Sequence, residues 1–246
     1  MAARWPGRKT RPPPSGEVRR GVPLPAPFGT LGDLSDGRRL DASARGLPPM
    51  PIPLPPSLSL PHVRVFELQA SDEDLLQRFY ERNPLYFEQV TGAPPRPDEA
   101  REEIRDLPPE GWSFSAKRLL GYADDSGELV AMASLVSDLM APRVWLVGLF
   151  IVATSLHGST AAREIYAELE GWMQRNGALW VRLGVVVGNP RAERFWERQG
   201  FTEVRRRDGL TMGQRVNELR VMVKPLDGGR IADYLEMVPR DRPGEP

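Results

Sequence analysis

The chain has 246 residues, 40% apolar and 27% charged, with 33 Lys+Arg balanced by 33 Asp+Glu, an ordinary composition for one large or two small soluble domains. It has no cysteine and only two histidines, His62 and His157, which excludes disulfides and thiolate chemistry and argues against a metal centre. Zero net charge gives no bulk attraction to nucleic acid, and the longest apolar run, residues 144–153, has about half the ~20 residues a membrane helix needs, so a cytoplasmic protein without membrane or nucleic-acid partner is expected, with a homodimer left open.

Residues 1–61 differ from the rest. They hold fourteen of the 26 prolines and nine Arg/Lys against four Asp/Glu by direct count. Proline runs such as Pro12-Pro13-Pro14 suit neither helix interior nor central strand, and the segment lacks the apolar periodicity to offset its ordering entropy. It is read as a disordered tail, with a polyproline ligand, a basic tether or a later start at Met50 as alternatives.

After Pro61 the pattern becomes regular. A first strand spans Val63 to Leu68. A helix over 71–82 follows, with Ser71 as its cap and Leu75, Leu76, Phe79 and Tyr80 at helical spacing. Asn83-Pro84 stops it. A short helix opens at Leu85-Tyr86-Phe87 and ends near Gly92, and residues 98–106 form a third, mostly solvated helix. Strands 116–123 and 128–137 flank the hairpin signal Asp124-Asp125-Ser126-Gly127. Residues 144–153 read as a buried strand, 158–176 as a helix, 179–187 as another buried strand and 190–199 as a helix with Asn189 as cap, Pro190 at its first position and Gly200 just past its end. Strands near 201–206 and 217–224 finish the domain, and 227–246 is an extension.

Two strand-to-helix units carry the chemistry. In the first, residues 149–172, a buried strand runs into a helix that opens with small residues: Gly158, Ser159, Thr160, Ala161 and Ala162. Unpaired amides at such a start suit an anionic ligand, and small side chains let a diphosphate approach the backbone. The plainer reading is close packing of helix on sheet. The second unit, residues 185–201, places Asn189, Ala192, Phe195, Trp196, Glu197, Gly200 and Phe201 in the order Asn-x-x-Ala-x-x-Phe-Trp-Glu-x-x-Gly-Phe.

Together these units resemble the GNAT superfamily of N-acetyltransferases over roughly residues 62–226. The phosphate-turn positions of that family fall on His157, Thr160 and Ala162. The resemblance implies an α/β fold, a mixed and largely antiparallel central sheet flanked by helices, and transfer of an acetyl or other acyl group from acyl-CoA to an amine of a small molecule or peptide by direct attack on the thioester. It also implies that Ile151, Val152 and Ala153 offer backbone groups to the pantetheine arm and that the amides from His157 to Ala162 hold the diphosphate. Asn189 and Trp196 would stand near the cofactor. No metal is implied.

The departures have consequences. Thr160 stands where glycine is usual; it fits an ordinary helix start but not a position needing φ > 0. Trp196 replaces a tyrosine that protonates the leaving thiolate in many members, and an indole N–H is no usable acid. Glu88 and Asp138 are candidate bases, although each also reads as a surface carboxylate. An acceptor cleft is expected between residues 79–92, where Tyr86 and Phe87 lie, and the loops 138–143 and 208–216. Arg205-Arg206-Arg207 reads as a solvated strand end or an anion-binding run. The missing acid and base leave open a module that binds acyl-CoA without turnover, as a regulator or scaffold.

Overall fold

The structure is a computed structural model that describes residues 54–55 and 62–244; the proline-rich tail reading and the Met50 reading fall almost wholly outside the described residues. Seven strands form one sheet: β1 (Arg64–Glu67), β2 (Ala116–Ala123), β3 (Leu129–Ser137), β4 (Val144–Val152), β5 (Trp180–Val186), β6 (Thr202–Met212) and β7 (Arg215–Pro225), in the order β1-β2-β3-β4-β5-β7-β6. Every neighbouring pair is antiparallel except β4–β5, which is parallel. That exception has a covalent cause. A parallel return needs a crossover, and α4 (Ala161–Arg175) supplies it between β4 and β5.

Helices cover both faces. On one lie α1 (Glu73–Arg82), α2 (Leu85–Thr91) and α3 (Glu99–Arg105). Leu76, Phe79, Tyr80, Phe87 and Val90 bury themselves there against Met132, Leu149 and Ile151 of the sheet. On the other lie α4 and α5 (Pro190–Arg198), whose aromatic side chains meet the opposite side chains of β4. Trp172 lies edge-on to Trp145 at 5.5 Å, and Tyr166, Phe195 and Trp196 surround Phe150. The strict alternation of β4 between Phe150 and its neighbours Leu149 and Ile151 is therefore what separates the two cores.

Several expectations need correction. The first helix is entered through a short 3-10 turn at Ala70–Asp72, where the Asp72 carboxylate accepts from the Gln69 amide at 2.8 Å, so the bracing acid is Asp72 and Ser71 is not the cap. The third helix is not mostly solvated: Glu99, Ala100 and Glu103 are buried, because α3 packs on α1 through Gln77, which accepts from the Ala100 amide at 3.1 Å. The strands β6 and β7 run longer than their sequence pattern, because two bulges let the hairpin twist and stay paired as far as Met212 and Arg215. The run Arg205-Arg206-Arg207 thus lies inside a strand.

The extension after β7 is also structured. It forms α6 (Ile231–Met237) and a closing turn at Pro239–Asp241. Asp241, fully buried, accepts from Arg182 of β5 through Nε at 2.6 Å and Nη2 at 2.9 Å, and from the Tyr234 hydroxyl at 2.6 Å. Burial opposes the Asp241 charge, but Arg182 outweighs it and holds the carboxyl below its ordinary range. This buried pair pins the C-terminal segment to the sheet. No helix among the described residues is long and apolar enough to cross a membrane.

Candidate functional site

The site begins where two parallel strands part. Register between β4 and β5 runs only from Val144 opposite Trp180 to Val147 opposite Leu183. Beyond that point β5 stays with β7 while β4 stays with β3, and a bulge in the β3–β4 pairing at Gly148 re-aims the strand. The next residues therefore face a wedge-shaped gap. The Ala153 amide donates to Val130 O at 2.8 Å. Antiparallel alternation then turns Ile151 toward β3 and leaves the N–H and C=O of Phe150 and Val152 facing the gap. Of the three residues expected to offer backbone groups there, Val152 is the one so oriented.

The chain leaves β4 through a 3-10 turn, Thr154–Leu156. Asn83 fixes this turn from across the domain. Buried at the end of α1, it accepts from the Thr154 amide at 2.6 Å and donates to Phe79 O at 2.8 Å. The sequence marks Asn83 only as a helix stop; its second role needs a contact across 71 positions.

His157 follows, with Nε2 donating to Val152 O at 3.1 Å and Nδ1 accepting from Arg191 of α5. Both contacts suit neutral imidazole. Burial and then the Arg191 charge push the His157 pKa down. Gly158 takes φ +87° with open space where a side chain would be. Thr160 sits at φ −79°, an ordinary helix-entry conformation. The position needing left-handed backbone is thus occupied by glycine, and threonine at 160 costs nothing.

The amides at the start of α4 divide into two sets. Ser159 N donates to Leu156 O at 3.3 Å, and Ala161 N to Ser159 Oγ at 3.2 Å. The amides of Gly158, Thr160, Ala162 and Arg163 find no protein acceptor among the described residues. Gly158, Ser159 and Thr160 are exposed, and the Arg191 guanidinium stands beside His157. An exposed row of free N–H groups, the positive end of a 15-residue helix and a nearby cation together favour a phosphate-type anion. Asn189 caps α5 as expected, accepting from Ala192 N at 3.2 Å.

Other expected residues lie elsewhere. Trp196 is wholly buried among Tyr166, Phe195 and Phe201, and its indole N–H has no partner among the described residues; it has no surface to offer a cofactor. Tyr86 and Phe87 are 2% exposed and face the core, since α2 turns its aromatic side inward. Glu88 is on the exposed side of α2. Asp138 accepts from Arg143 N at 2.7 Å and braces the β3–β4 turn, at the opposite end of β4 from the phosphate turn. The 208–216 hairpin rests on α2, with Gln214 N donating to Thr91 O at 2.8 Å. Of the three segments expected to form one cleft, 79–92 and 208–216 therefore meet, and the 138–143 loop lies at the other end of β4.

A cavity of about 230 Å³ lies instead on the α1–α3 face, bordered by Trp112, Gly148, Gly184, Arg182, Arg207 and Arg240. Gly148 and Gly184 are the residues immediately after the last β4–β5 pair. The cavity thus meets the vertex of the gap from the face opposite α4 and α5.

Residues 74–201 match the model of the acetyltransferase (GNAT) family. The chain belongs to this family.

Its fold recurs in solved structures at low identity. An acetyltransferase from Thermus thermophilus is 19% identical with a TM-score of 0.54, over 67% of this chain and 97% of that one. Spermidine N-acetyltransferase from Vibrio cholerae, in complex with CoA and spermine, is 18% identical with a TM-score of 0.51, over 67% and 95%. Arabidopsis thaliana NAA60, in complex with acetyl-CoA, is 13% identical with a TM-score of 0.50, over 68% and 99%. No curated protein matches the chain. Among the described residues no group of three or more His, Asp or Glu could hold a metal ion.

Proposed function

We propose that this GNAT-family protein transfers an acetyl or similar acyl group from CoA to an amine. The observation that carries the reading is the coincidence of two features where β4 runs into α4: free amides at the start of the helix and, at the gap, a stretch of β4 edge that β5 leaves unpaired. The amides of Gly158, Thr160, Ala162 and Arg163, with Arg191 beside them, are suited to the diphosphate. The Val152 amide and the N–H and C=O of Phe150, beyond the reach of β5, are suited to pair with the amide-rich arm and lead it toward Gly148, while Val152 O stays with His157. The thioester supplies an acyl carbon open to nucleophilic attack. The acceptor nitrogen forms the new C–N bond as the C–S bond breaks, the electron pair leaves on sulfur, and the ammonium proton passes to water or thiolate. A backbone N–H aimed at the carbonyl oxygen contributes roughly 3 kcal/mol in such reactions.

The family tyrosine position is filled by buried, unpartnered Trp196, which favours a second reading: a protein that binds acyl-CoA with little or no turnover. A thermal-shift titration with acetyl-CoA tests the shared premise. Ligand at a hundredfold excess over Kd adds about 2.7 kcal/mol, so an unmoved Tm would reject both readings. CoA release across a panel of primary amines then separates the two.

A further inference from the structure

The cavity beneath the gap is lined by an unusual concentration of cations. Lys117, Arg182, Arg207 and Arg240 border it, against Glu103 and Asp106. Two of the four cations are fully engaged. Lys117 pairs with Glu103 at 3.2 Å and donates to the carbonyls of Glu103 and Asp106. Arg182 is paired bidentately with Asp241 through its Nε–Nη2 edge.

The other two are not. Arg207 reaches the Asp241 carboxylate only at 3.7 Å, donates to Arg240 O at 3.0 Å, and leaves its buried Nε with no partner among the described residues. Arg240 lies over the Trp112 ring at 4.6 Å, a contact that orients its guanidinium without neutralising it. Burial, then Arg182, Arg240 and Arg205, push the Arg207 pKa down to about 10. Exposed Arg206 points the other way and pairs with Glu203 and Glu218. A half-buried guanidinium with an unused donor, crowded by its own sign, is stabilised by an incoming anion.

We propose that the acceptor is a small amine bearing an anionic group, a carboxylate or phosphate, that seats on Arg207 and Arg240 with its amine toward Gly148 and Gly184. This rests on the acyl-transfer reading above. The cavity, at about 230 Å³, is below the roughly 300–1,000 Å³ of drug-sized pockets, so both ends of the acceptor are held in one compact space.

The test compares amines matched except for the anion: L-alanine against L-alaninol, β-alanine against propanolamine, and O-phosphoethanolamine against ethanolamine. With acetyl-CoA, an anionic member is expected to exceed its neutral partner in kcat/KM by about tenfold or more, and the pair showing the largest ratio tells carboxylate from phosphate. Arg207→Gln or Arg240→Gln should erase most of that ratio through KM, while Arg206→Gln leaves it intact. Equal rates within every pair, or a ratio that survives both substitutions, overturn the proposal. If no amine releases CoA although acetyl-CoA binds, the acyl-transfer reading fails separately. Calorimetry with the same pairs then decides the pocket: binding of an anionic member that Arg207→Gln abolishes supports it, and no preference over the neutral partner rejects it.

Discussion

The two faces of the sheet offer hydrogen-bond donors of two different kinds. At the start of α4 the donors are backbone amides, and the side chains around them are small. Beneath the gap the donors are long guanidinium groups, positioned by ion pairs and by an aromatic ring. A backbone site asks of the sequence only that nothing obstruct it, so it tolerates Thr160 where glycine is usual. A side-chain site is specified residue by residue, and a single substitution changes what it recognises. The first arrangement suits a ligand common to a whole family, the second a ligand peculiar to one member.

The comparison can be broken most forcefully at the strut beneath the cavity. Asp241→Ala leaves Arg182 buried without its counter-charge and Tyr234 without its acceptor, so a loss of about 3–5 kcal/mol is expected in urea unfolding. A loss below about 1 kcal/mol would show that the strut matters little. The same pair sets the acid limb of stability. Asp241 has a depressed folded pKa, so its contribution is complete above the unfolded value of about 4 and disappears as pH falls through the lower folded value. Asp241→Asn should flatten that limb between pH ~4 and lower values in a Tm series.

At the other face, Gly158→Glu sets a carboxylate against the open amides. Acetyl-CoA affinity should fall by roughly a hundredfold, about 2.7 kcal/mol. Gly158→Ala separates charge from strain: φ +87° is unfavourable for any side chain, though space is open, so it should lose about 1 kcal/mol of stability with a much smaller change in affinity. If the two variants bind acetyl-CoA alike, the diphosphate does not rest there.

A smaller effect than that of Asp241→Ala or Gly158→Glu is expected at Asn83. Replacing it with Ala removes the bond to Thr154 N and the bond to Phe79 O. About 1–2 kcal/mol of stability should be lost, at the lower end because Thr154 is exposed and water can replace one partner. Hydrogen exchange at residues 154–158 should quicken while exchange in β5 stays unchanged. Uniform quickening would mean that Asn83 supports the whole fold and not this turn.

Much of the architecture is legible in the sequence. Helical spacing in residues 73–82 and 161–175, the continuous apolar runs of β4 and β5, and the Asn189-Pro190…Gly200 punctuation each reflect rules that act within one turn or one strand. The amides at the start of α4 follow from the same local logic. What local pattern does not carry is which way a side chain faces between elements. Tyr86 and Phe87 read as an acceptor wall and are core. The arginine run reads as one unit, but strand alternation sends Arg206 to solvent and Arg205 and Arg207 toward Arg240. Arg182 is inconspicuous inside an apolar strand, and its partner is 59 positions away.

The sequence by itself determined the elements from β1 to β7, their order and the open amides at the start of α4, because periodicity, caps and free amides are properties of contiguous residues. Tertiary structure alone decided where β4 and β5 separate, which Asp241 and Tyr234 contacts hold Arg182, and which arginines share a cavity. Those outcomes depend on burial and charge between residues far apart in the chain, and a buried charge is tolerated only where a distant partner arrives to meet it.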